Sequence, residues 1–344
     1  MKHHRLAWFA LLASVGLCAG PDLPAPYQPE QRVSGQITVW GHGSLGGHTD
    51  YIEMLVKRWA EGFSQHHPDV EIVNRLSGTA AAIGALYTGT GDIALLGREI
   101  WPMEVEAFQE VKGYKPLGID VLTGSFKTRN RGYALVVFVH KSNPITGLTL
   151  DQIAAVYSAK PPHGAPARRW GNLGLAGEWA ERPIEPYGFP LSRGFAIYLA
   201  EAAFKGGRLW NPAVREYPDE PGSMGGETDG GHRMLQDLAK DPNGIAYAGL
   251  LYTHPDVKAI ALATGPGEPL VEPTEQNVMN HSYPLTRIIT IFIDRPPGQP
   301  VEPRLREFLR YVLSREGQEI VLHHGGGYLP MLRPFAERES RKLD

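Results

Sequence analysis

An exported α/β protein of two domains is what this sequence predicts, and three observations carry the prediction. The chain has 344 residues, more than one hydrophobic core usually serves, so two domains of ordinary size are expected. Apolar β-branched runs alternate with helix-period segments across glycine turns, the pattern of a parallel sheet flanked by helices. The opening joins a basic start, Lys2, His3, His4 and Arg5, to an uncharged apolar run from Leu6 to Leu17. That run is shorter than the roughly 20 residues a membrane-spanning helix needs, so residues 1–20 read as a signal peptide.

Hydrophobic residues at 42% and charged residues at 21% exclude wholesale disorder and a multi-span membrane protein. A formal charge of -3 offers no basic footprint for a phosphate backbone, so nucleic acid is excluded as a partner. Cys18, the one cysteine, cannot form an intrachain disulfide. Two readings of it stay open, a bacterial lipid anchor and simple cleavage nearby, and Leu17 departs from the small residue that usually precedes a lipidated cysteine. Residues 21–33 are Pro-rich and suit a tether after either event.

Along the chain, Ile37 to Trp40 reads as a strand that ends at Gly41-His42-Gly43-Ser44-Leu45-Gly46-Gly47. Ile52, Leu55, Val56, Trp59 and Phe63 then follow the spacing of one buried helix face. Val70 to Val73 is a strand, Leu76 to Thr79 a turn, Ala80 to Tyr87 a helix stopping at Gly89, and Asp92 to Leu96 a strand. Ala134 to Val139 is a continuous apolar run of the kind buried on both faces. Thr149 and Gln152 have capping-box spacing, so a helix starts there. Ile184 to Tyr187 is a strand, Ser192-Arg193-Gly194 a turn, Phe195 to Phe204 a helix, His232 to Leu238 a helix and Ile245 to Leu250 a strand. Arg287 to Ile293 is a β-branched run, and Arg304 to Leu313 and Glu316 to Leu322 are helices.

Several segments together resemble the substrate-binding components of bacterial ABC-type phosphate importers. They are Leu76-Ser77-Gly78-Thr79 with Gly91-Asp92-Ile93-Ala94, then Asn143 to Thr149 with Ile153 and Tyr157, then Gly244 to Leu250. Tyr283-Pro284-Leu285-Thr286 and Ser314 to Val321 before Gly327-Tyr328-Leu329-Pro330 complete the set. The resemblance implies a type II periplasmic-binding-protein fold: two α/β lobes with mixed sheets flanked by helices, joined by two crossings. The crossings are expected near Ser125 to Tyr133 and Ser282 to Ile288. Lobe one then holds residues 34–128 and 286–344, and lobe two residues 129–285. A monomer in the periplasm or cell envelope is expected. Its partners would be phosphate or a related oxyanion and ABC permease subunits, with membrane contact only through an anchor at Cys18.

An oxyanion is held without catalysis where helix N-termini converge, because their free N–H groups point outward and the helix dipoles favour negative charge. Three turns have that form, and the expected anion-binding residues are Ser44, Leu45, Ser77, Gly78, Thr79, Arg98, Ser192, Arg193 and Gly194. Hydroxyls add donors, and the missing Cβ of Gly78 and Gly194 lets backbone amides approach. Two departures from the family pattern matter. The third turn normally reads Ser-Gly-Thr after an arginine, where this chain has Arg193, Gly194 and Phe195 with Phe189 in the arginine's place. The best-known phosphate binders also carry an aspartate where this chain has Gly97-Arg98. Without that acceptor, sulfate is expected to compete with phosphate within about two orders of magnitude.

Other classes compete. His42-Gly43-Ser44-Leu45-Gly46 resembles a nucleophile elbow with its first glycine replaced, but no spacing assigns Ser44 a histidine and an acid. An anion sensor or scavenger without a permease keeps the fold and changes the role. His66-His67 and His323-His324 lie at helix ends without a completing acidic cluster and read as solvated, so no metal and no cofactor is expected.

Overall fold

The computed structural model describes residues 20–43, 51–76, 78–128, 132–205, 207–219 and 229–344. The signal segment, Cys18, Ser44, Leu45 and Ser77 lie outside the described residues. From the start run β1 (Gly35–Gly41), α1 (Tyr51–Ser64) and β2 (Val70–Arg75). After a 3-10 turn over Thr79–Ala81 come α2 (Ala82–Thr88), β3 (Ile93–Leu95), α3 (Pro102–Lys112) and β4 (Leu117–Thr123). Then follow β5 (Leu135–His140), β6 (Gly147–Thr149), α4 (Leu150–Tyr157), β7 (Glu185–Gly188), α5 (Gly194–Phe204), β8 (Arg215–Glu216) and α6 (Gly230–Leu238). The chain finishes with β9 (Gly244–Gly249), β10 (Val257–Ala263), α7 (Glu275–Met279), β11 (Ile288–Ile293), α8 (Pro303–Val312), α9 (Arg315–His324) and α10 (Arg333–Ser340).

Local chemistry explains the clearest of these elements. α1 buries Ile52, Leu55, Val56, Trp59 and Phe63, the stripe that 3.6-residue periodicity requires. Thr149 caps α4 by accepting from the Gln152 N–H while the Gln152 side chain accepts from the Thr149 N–H, which satisfies two otherwise orphaned donors. Gly89 ends α2 in the left-handed conformation at φ 74°.

Two sheets result. The first has the order β2-β1-β3-β11-β4, with β1 parallel to β2 and β3 and β11 antiparallel to β3 and β4. The second has the order β6-β10-β5-β9-β7-β8, with β7 parallel to β9 and β5 antiparallel to β9 and β10. The sheets form the centres of two lobes, with one apolar core on the second sheet and two on the first. The chain passes from the first sheet to the second between β4 and β5 and returns between α7 and β11. The two crossings lie side by side, since Gly124 N–H donates to Arg287 O at 2.8 Å and Leu135 N–H to Leu285 O at 3.1 Å.

The Pro-rich stretch is not a free tether in the structure. Arg333 N–H donates to Asp22 O and Arg315 N–H to Ala25 O, which straps the segment across α9 and α10. Tyr27 is buried, and its hydroxyl donates to Glu307 Oε2 at 2.6 Å and meets His67 Nε2 at 2.8 Å. Its ring packs edge-on against His66 and Tyr311. His67 is therefore fully buried rather than solvated, and burial lowers its pKa.

Candidate anion site

The three parallel strands of lobe one place their carboxyl ends on one edge. β1 lies between β2 and β3, so its connection leaves toward one neighbour while the other arrives from the opposite side. Open α/β sheets bind ligands outside such a switch point. Here the loops interlock: Gly78 N–H donates to Gly41 O and His42 N–H to Leu95 O, both at 2.9 Å. Gly41 packs against the Leu95 carbonyl and Gly43 against that of Leu76, leaving no room for a Cβ at either position. Gly78 has φ 144°, a conformation that side chains rarely adopt, and the space where its Cβ would stand is open. Thr79 opens the 3-10 turn, with its Oγ1 at 3.4 Å from His42 Nδ1.

Lobe two contributes the carboxyl end of β7 and the start of α5. Arg193 is the N-cap of α5 and gives no side-chain cap bond, so the first-turn N–H groups at Gly194 and Phe195 keep the outward aim of a helix N-terminus. A Cβ on Gly194 would meet nothing within 4 Å. Between Trp101 and Met103 of lobe one and Leu191, Ser192 and Ile197 of lobe two lies a cleft of ≈ 380 Å³.

The crossings hold α5 in place. Arg287, 4% exposed at its side chain, forms a bidentate ion pair with Glu99, which follows β3. Its guanidinium lies 5.1 Å from the rings of both Phe195 and Tyr198 on α5. Burial alone would pull this guanidinium's pKa down, and the Glu99 carboxylate more than offsets that, so it is raised. Tyr133, at the first crossing, stacks on Phe195 at 4.4 Å, and Tyr198 Oη donates to Thr286 O at 2.7 Å.

The expected site residues fall into groups. Gly78 and Thr79 lie at the edge of lobe one, and Ser192, Arg193 and Gly194 at the start of α5. Arg193 is 62% exposed at its side chain, with Asp219 Oδ2 4.0 Å away. Arg98 is taken up elsewhere: it pairs bidentately with Glu104 at 2.7 and 2.8 Å and stacks on Trp101 at 3.8 Å. Asp92 accepts from Thr38 N–H at 2.8 Å and so secures β1. Phe189 is buried against Phe195 and Tyr247, an apolar site where a lone arginine would be costly. The pairing that sequence reasoning missed is that of Glu99 with Arg287. Glu99 and Arg287 stand 188 positions apart, and nothing local signals their pairing. Among the described residues, no group of three or more His, Cys, Asp or Glu is arranged to hold a metal, and no helix is long and apolar enough to cross a membrane.

Comparison with known proteins agrees with this architecture. A PBP superfamily domain matches residues 33–316. The phosphate-binding protein PstS of Pseudomonas aeruginosa is 33% identical over 334 residues, covering 96% of this chain and 94% of its own. In fold, the chain is similar to PstS from Borrelia burgdorferi, with a TM-score of 0.55 at 14% identity over 86% of this chain and 98% of that one. It is also similar to an ABC-type phosphate transport receptor from Vibrio cholerae, with a TM-score of 0.50 at 18% identity over 85% and 99%. A family model over residues 33–316 and a relative matched over nearly its whole length place the chain in the PBP superfamily, among the PstS phosphate-binding proteins.

Proposed function

We propose that the protein captures phosphate between its two lobes, outside the cell's cytoplasm, for delivery to an ABC permease. The observation that carries this reading is the match to a phosphate-binding PstS over 96% of the chain, and the glycine turns at the carboxyl ends of β1 and β2 and the α5 N-terminus are the donor-rich candidates. Ser44, Leu45, Ser77, Gly78 and Thr79 would supply donors from lobe one, and Ser192, Arg193 and Gly194 from lobe two. The lobes would comprise residues 34–128 with 286–344, and 129–285. Arg98 is left out of the donor set because Glu104 and Trp101 hold its guanidinium.

Binding of this kind involves no bond making, so the protein acts as a receptor rather than a catalyst. The basic start and short apolar run support export with loss of residues 1–20, and Cys18 is the candidate anchor. Intact mass from the native envelope tests both points: retention of Met1 to Leu17 contradicts export, and a diacylglycerol mass on Cys18 establishes the anchor.

Calorimetric titration of the mature protein with phosphate, sulfate, molybdate and arsenate tests the binding itself. Charge-assisted hydrogen bonds contribute roughly 1.5–3 kcal/mol each, so Thr79→Ala or Ser77→Ala should weaken phosphate binding about 10- to 100-fold. Unchanged affinity in both variants would move the site elsewhere.

A further inference from the structure

The cleft between the start of α3 and the flank of α5 is larger than an inorganic anion needs. Its volume of ≈ 380 Å³ falls in the range of small-molecule pockets. At about 30 Å³ per water it would hold roughly a dozen non-hydrogen atoms, well beyond the count of a tetrahedral oxyanion. One wall is Trp101-Pro102-Met103. The Trp101 ring is fixed by the Arg98 guanidinium, 3.8 Å from its centre, and the Trp101 backbone N–H donates to Glu104 Oε2 at 2.8 Å. The facing wall is a stripe of α5, since Ile197, Ala200 and Glu201 recur at the i, i+3, i+4 spacing of one helix face. Trp210 completes it, braced by the Phe204 ring at 4.9 Å. Met103 is 61% exposed, so the cleft opens to solvent. Its charged members, Glu201 and Arg208, are exposed as well.

Apolar walls strip a bare dianion of water without replacing its hydrogen bonds. They favour an apolar group of about ring size. The cleft is continuous with the proposed anion site, because Ser192 lines it and also belongs to the donor set. α5 begins two residues later, and the space around Gly194 is open. An oxyanion held at that helix start can therefore send a substituent along the Ile197–Ala200 face into the cleft. The departures from the family pattern agree with this. Gly97-Arg98 and Phe189 stand where the family has a carboxylate and an arginine, so neither position demands the proton or the full charge of inorganic phosphate.

We propose that the anion site extends into this cleft and takes, besides inorganic phosphate, a phosphorus oxyanion with an apolar substituent: a phosphonate or phosphate monoester bearing a group the size of a phenyl ring. The inference rests on the oxyanion reading above and enlarges its substrate class. Hydroxyls and backbone N–H groups hold the head, and Trp101, Ile197 and Trp210 hold the substituent. Because the two walls belong to different lobes, a filled cleft also holds the lobes together.

The test is calorimetry with phosphate, methylphosphonate and phenylphosphonate on wild type, Trp101→Ala and Ala200→Phe, with thermal melts to verify folding. The two phosphonates share a head and differ in the group offered to the cleft. Burial of the ring should make phenylphosphonate bind the wild type about 10- to 100-fold more tightly than methylphosphonate. Trp101→Ala removes one wall and Ala200→Phe fills the space, so each should erase most of that difference and leave phosphate affinity unchanged. A wild type that binds phosphate and shows no preference for phenylphosphonate over methylphosphonate overturns the inference and leaves the oxyanion reading intact. A preference that survives undiminished in the folded variants also overturns it, because the ring then sits elsewhere. A wild type that binds none of the three overturns the oxyanion reading and this inference with it.

Discussion

His281 holds its backbone at φ 56°, a left-handed conformation that is uncommon outside glycine and asparagine. It is kept there by Thr123 Oγ1, 2.7 Å from Nε2, and by stacking on Phe335 at 4.0 Å, so it ties the returning crossing to lobe one. Burial first, and then the Arg338 charge, push the imidazole down from 6.5 to about 4. The folded protein keeps the ring neutral while the unfolded chain takes up a proton. This contribution is therefore complete above pH 6.5 and is lost as pH falls toward about 4. At about 1.36 kcal/mol per pH unit the loss reaches about 3 kcal/mol. His281→Asn, which tolerates the left-handed backbone, should lose less stability than wild type across that interval in urea titrations, and equal losses would contradict the assignment. Glu99→Gln is the second residue-scale prediction. It leaves the Arg287 guanidinium buried without its counter-charge, and breaking such a pair costs about 3–5 kcal/mol. A loss under about 1 kcal/mol in the same titrations would show that Phe195 and Tyr198 alone satisfy it.

At the scale of elements, the strap from Asp22 to Tyr27 is the part that composition misreads. Proline-rich sequence excludes helix and interior strand, and it says nothing about docking. What holds the strap is tertiary: the Tyr27 hydroxyl reaches Glu307, 280 positions away and fully buried. Tyr27→Phe keeps the ring packing and removes the donor, so it should destabilise the protein by about 1–3 kcal/mol in denaturant titrations. No change would mean that another donor reaches the carboxylate. The same contrast governs what was legible elsewhere. α1 could be read because five apolar residues share one stripe, and α4 because its cap lies three residues from its partner. α3 could not, since Phe108 is its one fully buried residue and its periodicity is weak. β10 reads poorly because three alanines and a lysine dilute its Val257, Ile260 and Leu262. The glycine turns were legible as punctuation, whereas the approach of Thr79 to His42 depends on the order of strands in the sheet.

At the scale of the molecule, the loop after β3 and the start of α5, which flank the proposed site, are tied to the crossings through Arg287. The loop after β3 reaches the returning crossing through the Glu99–Arg287 pair, β11 starts there, and α5 is pinned to it through Phe195, Tyr198 and Arg287. A ligand bound by both edges favours the closed arrangement, because it is held more tightly there than by either lobe alone. Phosphate should accordingly raise the melting temperature, with about 2.7 kcal/mol of stabilisation at 100 times its dissociation constant. The most direct test of the junction is crystallographic. Arsenate has the shape and proton of phosphate, and its anomalous signal locates it without bias. The account predicts one dominant arsenate peak between the Gly78-Thr79 turn and the N–H groups of Gly194 and Phe195. A peak among the surface arginines of α8, or none at all in crystals grown with saturating arsenate, would contradict it.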